Sequence, residues 1–458
     1  MGGAAVAIDR ASPSDLTTLV TDVGAAPMQV GAVLCLDGGG GGVDASALAR
    51  VLGERLGSIP RMRQRLADVP FGLGRPIWVD DPEFDLDRHL STVPCPGGVD
   101  RKAVLELAAA VVTARLDRSR PLWSAVVVTD AAGRAHALVV VFHHVLADGI
   151  GGLAMLASLV DGVATPVPPS PARPGPTHTA LARDAARSRL QAFTRLPGAL
   201  RSAAGLVASL RKGSAPRAAP CSLNRPTGPR RAIAHVGVAL QPVVDTAHAS
   251  GSTVNDVLLA AITAALRDLL DHRGEAVEQF VVSIPVSHRR ATTVDDLGNS
   301  VGAVPVALPA RGDPPARLRR IAATTREAKQ SSNVASVEVL LGPVFRLLAR
   351  LRLFGWFIGR QRMVHTFVTN LRGPAESMAL AGVPITEVMA VAVVPGNVTV
   401  SFAVLSYAGR MGVTIVADPD GCPDLELLEA AVERRLAELT GLASGGAAPA
   451  TPGEVGQR

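Results

Sequence analysis

Hydrophobic positions along this chain follow two periods, which predict strands in some stretches and helices in others. The run Leu138–Phe142 is apolar and rich in β-branched residues, a composition typical of a buried strand. Apolar residues within Gly152–Val160 recur at helical spacing instead. Between them lie Asp148 and Gly149, a pair that favours a turn because glycine accepts a positive φ angle. The pattern therefore predicts a strand, a turn and a helix in succession.

The same two periods extend along most of the chain. They predict strands over Met28–Leu36, Pro121–Val128, Val281–Ser287, Val301–Leu308, Phe367–Pro374, Val388–Val394, Val398–Ser406 and Met411–Ala417. They predict helices over 44–56, 100–116, 252–270, 314–329, 339–357 and 424–439, with a shorter one opening at Ser12. Asp44, Asp100 and either Ser252 or Thr253 stand where they can cap a first turn. The basic segment Pro60–Arg65 is expected to be exposed.

A proline-rich stretch, Pro166–Pro176, suits an extended crossing segment and marks the predicted domain boundary. The 458 residues suffice for two domains of ordinary size. We therefore divide the chain into an N-terminal lobe (1–162), a proline-rich and basic amphipathic crossover linker (163–231), a C-terminal lobe (232–443) and a disordered tail (444–458).

Composition narrows the possible partners. The chain is 48% hydrophobic but only 3% aromatic, so Ala, Val and Leu must fill a large core. Its net charge of +6 suits anionic lipid headgroups, coenzyme A phosphates or nucleic acid. Nucleic acid is the least favoured of these, because no binding motif with interleaved aromatic residues accompanies the charge.

The cysteines and the hydropathy indicate a cellular compartment. Cys35, Cys95, Cys221 and Cys422 are scattered without CxxC spacing, which predicts reduced thiols in a cytosolic protein and neither a zinc site nor a disulfide framework. The first residues lack the order of a signal peptide, and no apolar run is long enough to cross a bilayer. Any contact with a membrane is therefore expected to be peripheral.

Two basic amphipathic segments have two possible interpretations. In the first, between Arg183 and Lys212, leucines at helical spacing are surrounded by arginines. In the second, Val339–Phe357, the apolar positions alternate with arginines and include Trp356. Such segments either lie on an anionic membrane surface or pack against the protein with solvated arginines.

Two histidines, His143 and His144, stand where the central strand ends. Adjacent strand residues point to opposite faces, so one ring should face a cavity and the other should pack behind it. This argues against a metal site shared with Asp148 and favours acid–base chemistry, since imidazole titrates near neutrality. A single histidine at the end of an apolar strand is most often a core residue with satisfied hydrogen bonds. Asp148 either orients a histidine or pairs with an arginine, and Gly149 gives the turn its backbone.

The sequence His143-His144-x-x-x-Asp148-Gly149 resembles the active-site motif of the CoA-dependent acyltransferase superfamily. Other segments resemble its bacterial wax ester synthase/diacylglycerol acyltransferase branch. They are Met28–Gly31, Phe84–Asp87 with His89, Arg120–Trp123, Asn255-Asp256, Pro285–Ser287, Gly298-Asn299 and Asn370–Pro374. The resemblance extends from about Ser12 to Leu439, with Leu371-Arg372 standing where the family usually has a smaller pair.

This resemblance implies an α/β fold of two chloramphenicol-acetyltransferase-like lobes, with a tunnel between them that reaches His144. It implies transfer of a long-chain acyl group from acyl-CoA to diacylglycerol, and also to long-chain alcohols, without a metal or cofactor. His144 matches the general base of the family, His143 supports it, and Asp148 is structural. Asn255 either donates a hydrogen bond near the substrate or braces the interface between the lobes.

The implied location is the cytoplasm, with peripheral association with the inner membrane face or lipid bodies. Two alternatives stay open. A condensation-type acyltransferase would use another acceptor, although no carrier-like sequence is attached here. A lipid-binding protein on the same fold would not turn substrate over at all.

Overall fold

Two large β-sheets with helices packed against them form the framework of the chain. The computed structural model describes residues 8–25, 27–37, 43–95, 98–147, 149–162, 172–191, 216–287, 301–331 and 334–441. The strands are β1 (Gln29–Leu36), β2 (Val43–Asp44), β3 (Gln64–Ala67), β4 (Ile77–Asp80), β5 (Leu90–Pro94), β6 (Trp123–Thr129), β7 (Arg134–His143), β8 (Ala232–Ala239), β9 (Gln279–Ser287), β10 (Val301–Pro309), β11 (Thr366–Arg372), β12 (Ala379–Leu380), β13 (Val383–Val391), β14 (Val400–Tyr407) and β15 (Arg410–Ala417). The helices are α1 (Pro13–Thr21), α2 (Ala45–Ser58), α3 (Arg101–Thr113), α4 (Gly149–Ala157), α5 (178–191), α6 (Leu240–Ala249), α7 (Val254–His272), α8 (Pro314–Ser331), α9 (Val334–Arg350), α10 (Phe354–Ile358) and α11 (Leu425–Leu439).

The first sheet is buried on both faces around β7. Its strand order is β12-β13-β1-β7-β6-β5, and β2 pairs with the beginning of β7. Leu138 and Val140 belong to one apolar cluster, whereas Val139 and Val141 belong to the cluster on the other face. A strand that is covered on both faces needs a continuous run of apolar residues, and Leu138–Phe142 supplies one. The predicted strand is confirmed.

Strand β13 comes from the C-terminal half of the chain but completes the first sheet. It pairs antiparallel with β1, so that Met389 lies opposite Val33 in the register. Both side chains are fully buried. The C-terminal lobe predicted as residues 232–443 therefore contains a segment that belongs structurally to the first lobe.

The second sheet has the order β10-β9-β11-β14-β15-β8 and is mixed, since β11 runs parallel to both β9 and β14. Helix α7 lies between this sheet, α8 and α11. Its residues Leu258, Leu259 and Ile262 are completely buried. A helix that is apolar on nearly every side is typical of a domain core, and α7 is the core helix of the second lobe.

Predicted helix caps are confirmed at three places. The Asp44 side chain accepts a hydrogen bond from the backbone N–H of Ser46, and Asp100 accepts one from Ala103. Thr253 is the N-cap of α7 and forms a reciprocal capping box with Asp256. Each side chain satisfies a backbone donor that the first helical turn leaves without an intrahelical partner.

Two predicted boundaries differ for identifiable reasons. Helix α3 ends at Thr113 and not at Leu116, because Gln29 bonds the backbone of the departing chain. Its amide donates to the carbonyls of Val112 and Ala114, and its Oε1 accepts from the N–H of Leu116. The predicted helix Val339–Phe357 is instead two helices, α9 and α10, which are separated by the turn at Arg352.

The prediction that Pro60–Arg65 is exposed is wrong. Residues 60–63 form a 3-10 helix in which Met62 is fully buried. The Arg61 guanidinium stacks on the Trp78 ring at 4.4 Å from its centroid. Arginine lowers the cost of partial burial by covering an aromatic face, which the charge pattern alone does not reveal.

Several predictions lie outside the described residues. They concern Asp148, the linker residues 163–171 and 192–215, Gly298-Asn299 and the tail. Cys35, Cys95, Cys221 and Cys422 are free in the structure. Within the described ranges no single helix has the length and apolarity to cross a membrane, and only α6 and α7 taken together, bent by 101°, pass that test.

Candidate active site

The central strand β7 ends at His143 between two neighbouring strands. Gln29 of β1 lies opposite His143 in the antiparallel register, and Trp123 of β6 lies opposite Phe142. The N–H of His143 donates to the carbonyl of Leu122 at 2.9 Å. The backbone at the end of the strand is therefore fixed from both sides before the chain turns.

The His143 ring is buried and both of its nitrogens are occupied by protein groups. Nδ1 accepts a hydrogen bond from the backbone N–H of Val145 at 3.1 Å. A neutral imidazole then carries its hydrogen on Nε2, which lies 3.3 Å from Oδ2 of Asp22 and donates to it. With 2% of its surface exposed, the His143 side chain is enclosed by the protein.

Asp22 is the C-cap of α1, and its buried carboxylate accepts hydrogen bonds from several donors. Besides His143, it accepts from Arg118 Nη2 at 2.6 Å and from the backbone N–H of Met28 at 2.9 Å. Burial raises the pKa of this carboxyl, but the hydrogen bonds from His143, Met28 and Arg118 outweigh burial and hold its pKa well below the usual range. Asp22 is thus an anion that fixes the orientation of the His143 ring.

Asp22 is a site residue that no sequence motif indicates. It lies 121 positions from His143, so no local spacing connects them. One signal was present, because an acidic residue at the C-terminus of a helix opposes the helix dipole and needs compensating partners. The arginines Arg115 and Arg118, which lie close to the Asp22 carboxylate, supply that compensation.

His144 follows directly and has a different environment. Its backbone N–H donates to the carbonyl of Met28 at 2.9 Å, which holds the first residue of the turn against β1. The side chain is partly exposed, in contrast to the buried ring of His143. The two histidines therefore differ in the way that the alternation of a strand predicts.

The segment Met28–Gly31 serves both histidines. Met28 donates its N–H to Asp22 and offers its carbonyl to His144. Gly31 lets β1 approach β7 closely, because a Cβ at this position would lie 2.8 Å from the carbonyl oxygen of Val140. A segment that resembles a family motif in sequence is thus the backbone support of the site.

A second supporting group lies behind β6. The His89 ring stacks on Trp123 at 4.7 Å between centroids, and its Nδ1 lies 2.9 Å from the Trp123 carbonyl oxygen. Burial lowers the pKa of His89, which favours the neutral ring in this stack. The Trp123 indole N–H donates to the Met62 carbonyl at 2.7 Å. His89 and Trp123 therefore brace the strand next to β7.

Helix α4 begins at Gly149 and lies against β7. A Cβ at Gly152 would lie 2.5 Å from Cζ of Phe142, so a larger residue at this position would have to displace the Phe142 ring. Asp148 lies outside the described residues. Next to α4 is an apolar cavity, lined by Leu34, Leu153, Leu156, Val160, Pro374, Met378, Val388, Leu405 and Tyr407.

Asn255 occupies the second position of α7, and its side-chain amide is only partly satisfied. Its Oδ1 is 3.5 Å from Nδ2 of Asn370, at the limit of a hydrogen bond. Its own Nδ2 is buried and has no hydrogen-bond partner in the described part of the chain. Such a donor is rare in folded proteins and is a candidate for binding a ligand oxygen.

The neighbouring Asp256 has only structural contacts. Its carboxylate closes the capping box of α7 and accepts a hydrogen bond from Thr325 at 2.6 Å. Within the described ranges, no three His, Cys, Asp or Glu side chains are arranged to hold a metal ion.

Family models match both parts of the chain. The wax ester synthase/diacylglycerol acyltransferase catalytic domain matches residues 11–258, and the WS/DGAT C-terminal domain matches residues 297–440. A Mycobacterium tuberculosis (strain ATCC 25618 / H37Rv) protein named "Probable diacyglycerol O-acyltransferase tgs1" is 30% identical over 433 residues, which cover 91% of this chain and 92% of that protein.

Solved structures share the fold. The wax ester synthase/diacylglycerol acyltransferase from Marinobacter aquaeolei VT8 superimposes with a TM-score of 0.70 at 23% identity, over 95% of this chain and 100% of that one. The first condensation domain of the calcium-dependent antibiotic synthetase gives a TM-score of 0.61 at 20% identity, over 95% and 97% of the two chains. The predicted two-lobed α/β architecture is confirmed by these likenesses.

Proposed function

The chain belongs to the wax ester synthase/diacylglycerol acyltransferase family, and we propose that it transfers a long-chain acyl group from acyl-CoA to the hydroxyl of diacylglycerol. Long-chain alcohols are the second acceptor in this proposal, since the family description includes wax ester synthesis. The observation that carries the proposal is the difference between the two histidines. His143 is held by Asp22 and Val145, whereas the next residue, His144, is partly exposed.

In the proposed mechanism, His144 is the general base. Its imidazole takes the proton of the acceptor hydroxyl as the oxygen attacks the thioester carbonyl. The tetrahedral intermediate collapses with cleavage of the C–S bond, and the protonated His144 returns the proton to the departing CoA thiolate. An ester and free CoA result, and no acyl-enzyme is needed because the thioester is already activated.

The supporting residues have separate roles in this proposal. Asp22 and His143 hold the end of β7, and Gly149 begins α4. Asn255 Nδ2 is the proposed donor to a substrate oxygen, since this buried amide has no partner in the described part of the chain. The proposed transfer uses no bound metal or cofactor.

The test is ester formation from labelled palmitoyl-CoA, with diacylglycerol and hexadecanol offered separately. The variant His144→Ala should lose at least about 100-fold in rate with either acceptor. His136→Ala is the matched control, because His136 lies on the same strand and pairs with Asp130 near its other end. Its activity should equal that of the wild type.

The same experiment separates the alternatives. Product from diacylglycerol alone, or from both acceptors, identifies the preferred hydroxyl. No product from the folded wild type with either acceptor would favour a condensation-type acceptor or a protein that binds lipid without turnover. Equal product from the wild type and His144→Ala would reject His144 as the base.

A further inference from the structure

The outward face of α9 and α10 carries an unusual density of exposed apolar side chains. Eight large hydrophobic residues are exposed in the described part of the chain, and five of them lie in this short region. We call this region the α9–α10 surface; it comprises Val344, Leu347, Leu351, Leu353 and Trp356. Trp356 is 63% exposed and Leu347 is 57% exposed. Single exposed apolar residues are ordinary, whereas a contiguous group indicates an interaction surface.

The charge around this surface has one sign. Between residues 339 and 375 the sequence contains six arginines and no aspartate or glutamate. Arg350, Arg352 and Arg360 are exposed, and the guanidinium of Arg360 lies 5.4 Å from the Trp356 ring centroid. Apolar and cationic side chains therefore alternate on the same exposed face.

The inward side of α9 and α10 is packed through aromatic side chains. The rings of Phe345, Phe354 and Phe357 contact one another with centroids 5.3, 5.9 and 6.2 Å apart, which fixes α10 against α9. Arg352 takes a positive φ of 59° in the turn between the helices, so the chain reverses there without a glycine. Phe345 and Phe354 fill the inward side of the two helices, so the outward apolar residues are not required for packing against the described part of the chain.

We propose that the α9–α10 surface docks on an anionic lipid surface. Leucine and tryptophan side chains insert at the level of the headgroups, where the indole ring is favoured, and the arginines bind lipid phosphates. The absence of acidic residues between 339 and 375 excludes the internal ion pairs that would neutralise these arginines within the segment.

The docked helix is joined to the active-site region through α1. Arg346 Nη1 donates to Thr17 Oγ1 at 3.2 Å and lies 3.3 Å from the carbonyl oxygen of Pro13. Gly342 lets the helices approach, because a Cβ there would lie 3.0 Å from Thr17 Oγ1. Helix α1 then ends at Asp22, the residue that orients His143. The proposed docking surface thus rests on the helix that supports the site.

Binding of the full chain to vesicles tests this proposal without reference to catalysis. The probes are phosphatidylcholine vesicles and phosphatidylcholine vesicles containing phosphatidylglycerol, with bound protein measured by flotation. Wild-type protein should bind the anionic vesicles at least about tenfold more tightly than the neutral ones. The double variant Leu347→Glu/Trp356→Glu should lose at least about tenfold of that affinity.

Matched controls separate a local effect from added charge. Phe71→Glu introduces one negative charge, half of that in the double variant, at a fully exposed apolar residue elsewhere and should bind as the wild type does. Arg350→Glu should weaken binding to anionic vesicles by about tenfold, whereas Arg319→Glu, at an exposed arginine of α8, should not. Tryptophan emission gives a second measurement. Trp78 and Trp123 are buried, so a blue shift with anionic vesicles reports Trp356.

Unchanged binding by Leu347→Glu/Trp356→Glu, with its circular dichroism and melting temperature preserved, would overturn the proposal. An equal loss in Phe71→Glu would also overturn it, because the effect would then not belong to this surface. Sedimentation without lipid examines a second copy as the occupant. An oligomer that this double variant dissociates, while vesicle binding persists, would reassign the α9–α10 surface to self-association.

Discussion

Asp22 and His143 are 121 positions apart in sequence, and a hydrogen bond joins their side chains, with 3.3 Å between Oδ2 and Nε2. This contact connects the end of α1 to the end of β7. Together with the hydrogen bond from the Val145 N–H to Nδ1, it leaves neither ring nitrogen of His143 for substrate. In our proposal, His143 therefore has a supporting role and His144 performs the acid–base chemistry.

Replacing Asp22 should make the protein less stable near neutral pH, by an amount that decreases as the pH falls. Asp22→Asn removes a buried anion from three donors and should lower the free energy of unfolding at pH 7 by about 3 kcal/mol. Because the pKa of Asp22 is depressed in the folded protein, its contribution is fully present above the unfolded pKa of about 4. It declines as the pH falls below that value and is lost only as the pH falls through the lower folded pKa. Urea unfolding of both proteins between pH 7 and pH 3 measures this. A difference that stays constant over that range contradicts it.

Substitution by glutamine should affect mainly stability at His143 and mainly the acyl transfer rate at His144. His143→Gln breaks bonds to Asp22 and Val145, so it should lower the free energy of unfolding by about 2 kcal/mol. His144→Gln should change stability by less than about 0.5 kcal/mol but lower the acyl transfer rate by about 100-fold or more. Denaturant curves and initial rates on both variants provide the comparison, and a larger loss of rate in His143→Gln would reverse the assignment.

Gly152 should tolerate no side chain while Phe142 is present. Gly152→Ala places a methyl group in the Phe142 ring and should destabilise the protein by about 1–3 kcal/mol. Gly57 is the control, because it lies in α2 and a Cβ at this position would have no neighbour within 4 Å, so Gly57→Ala should stabilise slightly. Adding Phe142→Leu to Gly152→Ala should recover part of the loss. Strictly additive effects in this double-mutant cycle would show that the two residues do not interact.

Asn255 and Asp256 are adjacent but should behave differently. Asn255→Ala removes a buried amide with an unsatisfied donor, so stability should change little while KM for one substrate rises about tenfold. Asp256→Ala removes the capping box and the Thr325 contact and should lower the free energy of unfolding by about 2 kcal/mol. Thermal unfolding and steady-state kinetics of Asn255→Ala and Asp256→Ala measure these two effects. A stability loss in Asn255→Ala equal to that of Asp256→Ala would make Asn255 a bracing residue.

Periodicity and capping residues, which act within a few positions of the sequence, were enough to predict many of the strands and helices. The β-branched run before His143 and the capping residues Asp44, Asp100 and Thr253 act within a few positions, so their elements are readable from the chain. The division between a buried and a partly exposed histidine also follows from strand alternation. These features depend on periodicity and on hydrogen bonds between near neighbours.

What could not be predicted depends on distant contacts. Asp22 reaches His143 only once the end of α1 lies at the end of β7, and Gln29 ends α3 through carbonyls more than eighty positions away. The partial burial of Arg61 depends on its stacking on the Trp78 ring, which the distribution of charges along the sequence does not reveal. The two lobes were predicted from the resemblance and confirmed by the likeness to solved structures, whereas substrate preference depends on cavity shape, which local periodicity does not encode.

The return of β13 to the first sheet sets an order of events during synthesis. Until about residue 391 has left the ribosome, β1 has a partner in β7 on one side and an open edge on the other. An open edge with apolar side chains is prone to pair with other chains. A fragment that stops in the proline-rich linker should therefore aggregate. Supplying the C-terminal half in trans would be a way to recover soluble protein, because that half carries the missing strand.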